Sequence, residues 1–258
     1  CYCFTPMRYA WDQFDAYFGS HRVGRIQNRL YRLAFRQLAR WDASTSARAN
    51  QYVAISHYVA ERIRRYYNRE ATVVHPPVDT NFFCPSGSAP GPYFLIVSAL
   101  VPYKKVDIAI EACHMAGVPL RVAGDGPERD RLQSLAGPKV EFMGSCSDDE
   151  IRDLYRGTQA LILPGEEDFG IAPVEALACG RPVVGLSRGG VTETVSDGKT
   201  GVLVNEPTAE ALAEGIVKIT ENSFDPDYAR EHSLQFSLTR FHDNMRTKIE
   251  TAVLQTET

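Results

Sequence analysis

Residues 164–182, PGEEDFGIAPVEALACGRP, set three acids, Glu166, Glu167 and Asp168, beside Gly170 and just ahead of a short apolar stretch. The spacing predicts a helix over 173–179, with proline in a first turn where no amide proton is missed. A helix start presents unpaired amides and the positive end of its dipole, which suits a phosphate group. Glu175 then falls in the first helical turn, where its carboxylate can accept hydrogen bonds from a sugar diol. The same acids and glycine also serve as ordinary capping residues and a turn. Their position at the end of a strand favours a site.

Lys104, in the run Pro102-Tyr103-Lys104-Lys105, follows another apolar strand. A lysine there can lie over a diphosphate at the sheet edge, or simply occupy a solvated turn. Gly124-Asp125-Gly126-Pro127 and Gly189-Gly190 make glycine-bearing turns at the same edge. Neither is a G-x-G-x-x-G fingerprint or a Walker loop, so nicotinamide and P-loop chemistry have little support. His21, His57, His75, His114, His232 and His242 form no short ligand spacing, and no metal is expected. A divalent ion on Glu166, Glu167 or Asp168 stays open as the one acidic alternative.

These loops need strands to carry them. Residues 93–99, YFLIVSA, are apolar without alternation, as in a sheet covered on both faces. Further strands are expected at 120–123, 140–143, 160–163, 182–186 and 201–204. Helices are expected at 106–116, 128–135, 148–156 and 208–220, with Ser147 capping the third. A glycine-led segment, 189–197, turns into another. Alternation of this kind gives an α/β fold with a doubly wound parallel sheet. Ligands of such sheets bind at the carboxyl ends of the strands, here the loops 101–105, 124–127, 164–171 and 187–191.

Charge divides the chain. Through His75 there are twelve arginines, no lysine and five acids, whereas the remainder is strongly acidic. The change coincides with two proline-rich breaks, at 75–79 and 85–92. The expected organisation is therefore residues 1–79, a linker at 80–92, an α/β domain at 93–222 and further helices at 223–258. The early part reads as helical over 21–41, as a strand at 51–56, as a helix at 57–67 and as a strand at 71–74. Arg22, Arg25, Arg29, Arg32, Arg36 and Arg40 share one side of the first helix, opposite Val23, Leu30, Tyr31, Ala34, Phe35 and Leu38. That stripe is either a solvated face or a peripheral contact with an anionic membrane. A net charge of -4 and the absence of any reader motif argue against nucleic acid.

Six scattered cysteines without CxxC spacing read as reduced thiols, which points to a cytoplasmic protein, peripheral at the inner membrane face if the arginine stripe binds there. The 258 residues contain neither a transmembrane run nor a signal peptide. The opening Cys1-Tyr2-Cys3-Phe4-Thr5-Pro6 reads as the end of a strand, as though the chain begins inside a fold.

With these loops located, residues 93–220 resemble the nucleotide-sugar-binding domain of family-four (group 1) retaining glycosyltransferases of the GT-B fold. The most specific match is Glu167-x7-Glu175 in EDFGIAPVE, followed by ALACGRPV. VPYKKVD, GDGP, VEFMG, GGVTETV and DGKTG support it in the same order. Residues 1–79, through TPMRYAWD, AISHYVAERIRRYY and VVHPPVD, resemble the latter part of the acceptor-side domain in a mannosyltransferase-like branch of surface-polysaccharide synthesis. By that resemblance the final helices cross back to the first domain, and a leading half-domain of about a hundred residues would precede the chain.

The resemblance implies hexosyl transfer from a nucleoside diphosphate sugar, GDP-mannose or a UDP-sugar, to a glycan or lipid-linked glycan hydroxyl, without a metal. Glu167 would face the transferred sugar and Lys104 would neutralise the departing diphosphate. The backbone of Phe169, Gly170, Ile171 and Ala172 would hold sugar hydroxyls and diphosphate. Glu175 would bind the ribose, and Gly124 and Gly144 would line the donor site. Phe4 stands where many relatives have histidine, and Ala99 where many have arginine; phenylalanine has no proton to exchange. The alternative is a sugar-nucleotide-binding module without turnover. Epimerases, phosphorylases and sucrose-type synthases share the architecture but are not favoured by the first-domain segments.

Overall fold

The structure, a computed structural model, describes residues 1–19 and 23–256. Internal contacts divide it into two units, Cys1–His75 with Asp243–Thr258, and Pro76–His242.

In the first unit, β1 (Tyr2–Cys3), β2 (Tyr52–Ala54) and β3 (Ala71–Val73) form a parallel sheet in chain order. Tyr2 lies opposite Val53, and Ala54 opposite Val73. The helices α1 (Arg8–Trp11) and α2 (Phe14–Phe18) lead to the long α3 (Arg25–Thr45). The Phe35 ring of α3 packs 5.5 Å from Phe14 and 4.9 Å from Phe18. Lower on the same face, Asp42 accepts hydrogen bonds from Trp11 Nε1 at 2.8 Å and the Tyr67 hydroxyl at 2.9 Å. The helix α4 (His57–Tyr67) starts because the extended Ser56 turns its Oγ to the Val59 amide, 3.0 Å away. It ends on Asn68 in the left-handed region.

The side of α3 away from its arginines is not uniformly inward. Phe35 and Leu38 are half-buried, but Leu30 is 60% exposed; Ile26 and Leu33, which flank the arginines, are also exposed. Arg25, Arg29, Arg36 and Arg40 are exposed, and Arg32 pairs with Asp15 beneath it. Arg22, expected in the same stripe, lies outside the described residues. Among the described residues no helix is long and apolar enough to cross a membrane.

The second unit is a six-stranded parallel sheet built from β4 (Phe94–Val97), β5 (Leu120–Ala123), β6 (Val140–Gly144), β7 (Leu161–Leu163), β8 (Val183–Leu186) and β9 (Gly201–Val204). Its order is β6-β5-β4-β7-β8-β9. The strand order reverses between β4 and β7, where crossovers leave in opposite directions and open a crevice at the carboxyl edge. The intervening helices are α5 (Val106–Ala116), α6 (Arg129–Leu135), α7 (Asp148–Gly157), α8 (Ile171–Ala178), α9 (Val191–Thr194) and α10 (Ala209–Glu221).

Phe94, Ile96, Ile110, Leu120, Leu132, Ile162, Leu212 and Ile216 fill one core layer. Each such side chain contributes about 1.5–3 kcal/mol by leaving water. Ser147 and Glu150 form a reciprocal capping box at the start of α7. The helix α11 (Pro226–Ser233) packs on α8, and its Arg230 donates to the carbonyls of Phe83 at 2.9 Å and Ala178 at 3.3 Å. The last helix, α12 (Leu238–Thr256), enters the first unit from Asp243 onward.

Candidate functional site

The loops after β4 and β7 flank the reversal, so Lys104 and Glu167 start from neighbouring strand ends. Glycines bring the loops closer still. A Cβ on Gly165 would stand 2.7 Å from the Tyr103 carbonyl oxygen and 3.1 Å from Lys104 Cα. On Gly189 it would stand 2.3 Å from the Glu167 oxygen, and on Gly190 2.4 Å from that of Asp168. The Gly190 amide donates to the Glu167 carbonyl at 2.7 Å. On the other side of β4, a Cβ on Gly124 would meet the Ser98 oxygen at 2.0 Å, and one on Gly126 the Leu100 oxygen at 2.5 Å. The Gly124 amide donates to Gly144 at 2.7 Å. At these five glycines backbone takes the place of a side chain, forming a rim that no other residue type fits without displacing it.

Across this rim Lys104 Nζ pairs with Glu167 Oε1. Their side chains are 19% and 13% exposed, so both charges have lost most of their water. A pair so placed holds its geometry strongly, and removal of one partner strands the other. Lys104 belongs to a short 3-10 turn, Pro102–Lys104, whose end at Lys105 adopts the left-handed region.

The helix α8 begins at Ile171, after Gly170 at φ 91°. No side chain caps it, so the first-turn amides have no intrahelical acceptor. Pro173 removes one of them at no cost, leaving those of Ile171 and Ala172. This start precedes the expected one by two residues. Glu175 therefore lies in the second turn rather than the first, and the first turn holds no acid. Ile171 is exposed and Ala172 half-buried. The Phe169 side chain is buried against Phe236, with ring centroids 5.5 Å apart.

Glu175 is half-buried and accepts a hydrogen bond from the Tyr155 hydroxyl, 2.8 Å from Oε2. Burial raises the Glu175 pKa, the Tyr155 hydrogen bond opposes that shift, and the Asp148 charge reinforces it. Tyr155 is fully buried and its phenol is held well above the usual range, chiefly by desolvation. It donates at any ordinary pH.

Lys104 and Glu167 are thus in direct contact, with Gly170, Ile171 and Ala172 continuing from the same loop. Gly124 and Gly144 pair with one another on the β5–β6 side of the edge. Gly165 and Tyr155 escaped the sequence reading. Gly165 sits inside the acidic loop, where glycine is unremarkable, and Tyr155 reads as one more apolar position on an amphipathic helix.

A parallel sheet with its crevice at the reversal, a glycine-built rim and a lysine beside an uncapped helix defines a doubly wound α/β domain; its family and its structural neighbours give it the GT-B glycosyltransferase fold. The chain belongs to the family Glycosyl transferases group 1, which it matches over residues 81–235. Among curated proteins it is 31% identical to a D-inositol 3-phosphate glycosyltransferase of Mycolicibacterium gilvum, over 79% of this chain and 50% of that protein. It is 27% identical to an uncharacterized glycosyltransferase of Methanocaldococcus jannaschii, over 73% of this chain and 55% of that protein. The chain therefore spans about half the length of the curated relatives it matches. Among solved structures, HepE of Anabaena in complex with UDP and glucose superposes with a TM-score of 0.73 at 22% identity, covering 82% of this chain and 66% of that one. Sucrose-phosphate synthase from Thermosynechococcus elongatus gives 0.70 at 25%, covering 80% and 59%.

Proposed function

We propose that this chain carries the donor half of a retaining hexosyltransferase, which moves a sugar from a nucleoside diphosphate sugar to a hydroxyl on a glycan or lipid-linked glycan. The observation that carries the reading is the Lys104–Glu167 pair beside the uncapped start of α8. In this reading the diphosphate takes Lys104 and the amides of Ile171 and Ala172. Glu167, released from its partner, meets the hydroxyls of the transferred sugar. As the anomeric carbon–oxygen bond breaks, its electrons move onto the diphosphate, where Lys104 stabilises the growing charge. Glu175 accepts from the ribose diol, and Gly124 and Gly144 keep the opposite edge free of side chains. No metal is required by this division of labour.

GDP-mannose is the donor we favour, on the resemblance of residues 1–79 to mannosyltransferases of polysaccharide synthesis; the UDP in the HepE complex makes a UDP-sugar the competing donor. Isothermal titration with GDP, UDP and their sugars decides between them. One nucleotide should bind, and Lys104→Ala should weaken it more than tenfold. Absence of heat and of thermal stabilisation with every nucleotide sugar would overturn the reading.

Phe4 supports a second reading, a sugar-nucleotide-binding module without turnover. It is 58% exposed and edge-on to Tyr2, with no group to exchange a proton. Glycosyl transfer by this chain alone would reject it. We further propose a cytoplasmic location, with the α3 arginines resting on the anionic inner face of the membrane. Support comes from the four exposed guanidiniums and the exposed Ile26, Leu30 and Leu33. Residues 1–79 would serve the acceptor side, and α12 would tie back to them.

A further inference from the structure

We propose that Tyr155 is a positioning residue for the ribose end of the donor, fixing one oxygen of Glu175 so that the other is presented to a vicinal diol. The inference rests on the donor-site reading above and concerns a residue outside the loops that define it.

A carboxylate has two oxygens and a freely turning terminal bond, so a diol meets it well only if its rotation is stopped. In α8 the stop comes from a neighbouring helix. Tyr155 lies near the end of α7, fully buried, with its ring 5.9 Å edge-on to Phe83. Its hydroxyl donates to Glu175 Oε2 at 2.8 Å. Among the described residues Glu175 Oε1 has no hydrogen-bond partner. The phenol cannot turn away without leaving a buried donor unpaired, which makes the constraint mutual.

The charge balance around the pair supports the same role. Asp148, from the start of α7, raises the Glu175 pKa along with burial, and the Tyr155 hydrogen bond is what lowers it. Cys179, at the end of α8, faces the pair with its own thiol pushed up to about 12; Cys84, Arg156 and Arg230 lie around that thiol. The Tyr155 hydrogen bond thus favours the ionised form of Glu175, the form that accepts from two hydroxyls, against burial and Asp148. Loss of that donor should both release the carboxylate and favour its protonation.

The test uses GDP and UDP and their 2′,3′-dideoxy analogues, titrated against the whole chain. Wild type should prefer the ribonucleotide of whichever pair binds. Tyr155→Phe should weaken that ribonucleotide by about tenfold, the size of one hydrogen bond to a charged group, while leaving its dideoxy analogue unchanged. The acid limb of binding should move to higher pH. Site-specific 3,5-difluorotyrosine at 155, a stronger donor of nearly the same shape, should move that limb to lower pH; this arm stands even if Tyr155→Phe does not fold. Equal weakening of both nucleotides, an undiminished ribose preference in Tyr155→Phe, or an acid limb unmoved by the fluorinated residue would each overturn the positioning role. Wild type without any ribose preference would instead remove Glu175 from the ribose, and with it that part of the donor-site reading.

Discussion

Lys104 and Glu167 show how a site keeps two opposite charges ready in a place with little water. Replacing either alone strands its partner, whereas replacing both restores a neutral environment. Lys104→Met and Glu167→Gln should each lower stability by roughly 1–3 kcal/mol, and the double variant should recover most of it. Nucleotide binding should not recover, because in the proposed site the diphosphate takes the Lys104 charge. Chemical denaturation and titration on the same four proteins measure the two effects separately. Glu175 gives the complementary case. Its folded pKa is raised, so below its unfolded pKa the folded state bears no burial penalty, and stability is lost as pH rises through the folded pKa. Glu175→Gln keeps an acceptor for Tyr155 and removes the buried charge. Its melting temperature at neutral pH should therefore equal or exceed that of wild type and lose this pH dependence, while ribonucleotide binding falls. A melting temperature lowered at every pH would contradict the assignment of cost to the charge.

The elements carry the rim through glycine rather than through side-chain chemistry. Gly190 has an ordinary helical backbone, φ −67°, so its need for glycine is steric alone. Gly165 lies where the acidic loop crosses the lysine turn. Alanine at either position has to displace backbone, with a cost of about 1–3 kcal/mol. Gly165→Ala should separate Lys104 from Glu167 and weaken nucleotide binding beyond the loss explained by stability. Gly117→Ala, at an open turn with positive φ, should destabilise without affecting binding. Thermal unfolding and nucleotide titration on the pair check both statements. Several elements were legible from residue pattern: β4 as an unbroken apolar run, and α7 with Ser147 as its cap. The start of α8 was misplaced because proline marks a first turn without saying which of its positions it fills. Here Gly170 makes the turn, and Ala172 is helical although the following proline disfavours it, since the loop packing overrides that local preference.

At the scale of the molecule the uneven charge has a concrete location. The exposed guanidiniums of Arg25, Arg29, Arg36 and Arg40 run along α3, beside exposed Ile26, Leu30 and Leu33. If that face rests on anionic lipid, each basic residue contributes about 1 kcal/mol near the surface. Reversal of Arg25, Arg29 and Arg36 to glutamate should then abolish sedimentation with vesicles containing phosphatidylglycerol. Phosphatidylcholine vesicles should bind neither protein. Retained sedimentation of the reversed variant would reject the role.

The order of strands and helices from residue 93 onward, the edge that carries the loops, and the acids and lysine within them were determined by sequence. Apolar periodicity and turn residues act over a few neighbours, and those signals are written locally. Tertiary structure decided which loops touch, that Glu167 already has Lys104 as a partner, and that Glu175 is held by Tyr155 from another helix. Those facts depend on the reversal between β4 and β7 and on backbone approaches at Gly165, Gly189 and Gly190. Such approaches join residues far apart in the chain, and no local pattern records the distance between two glycine turns until the sheet has set it.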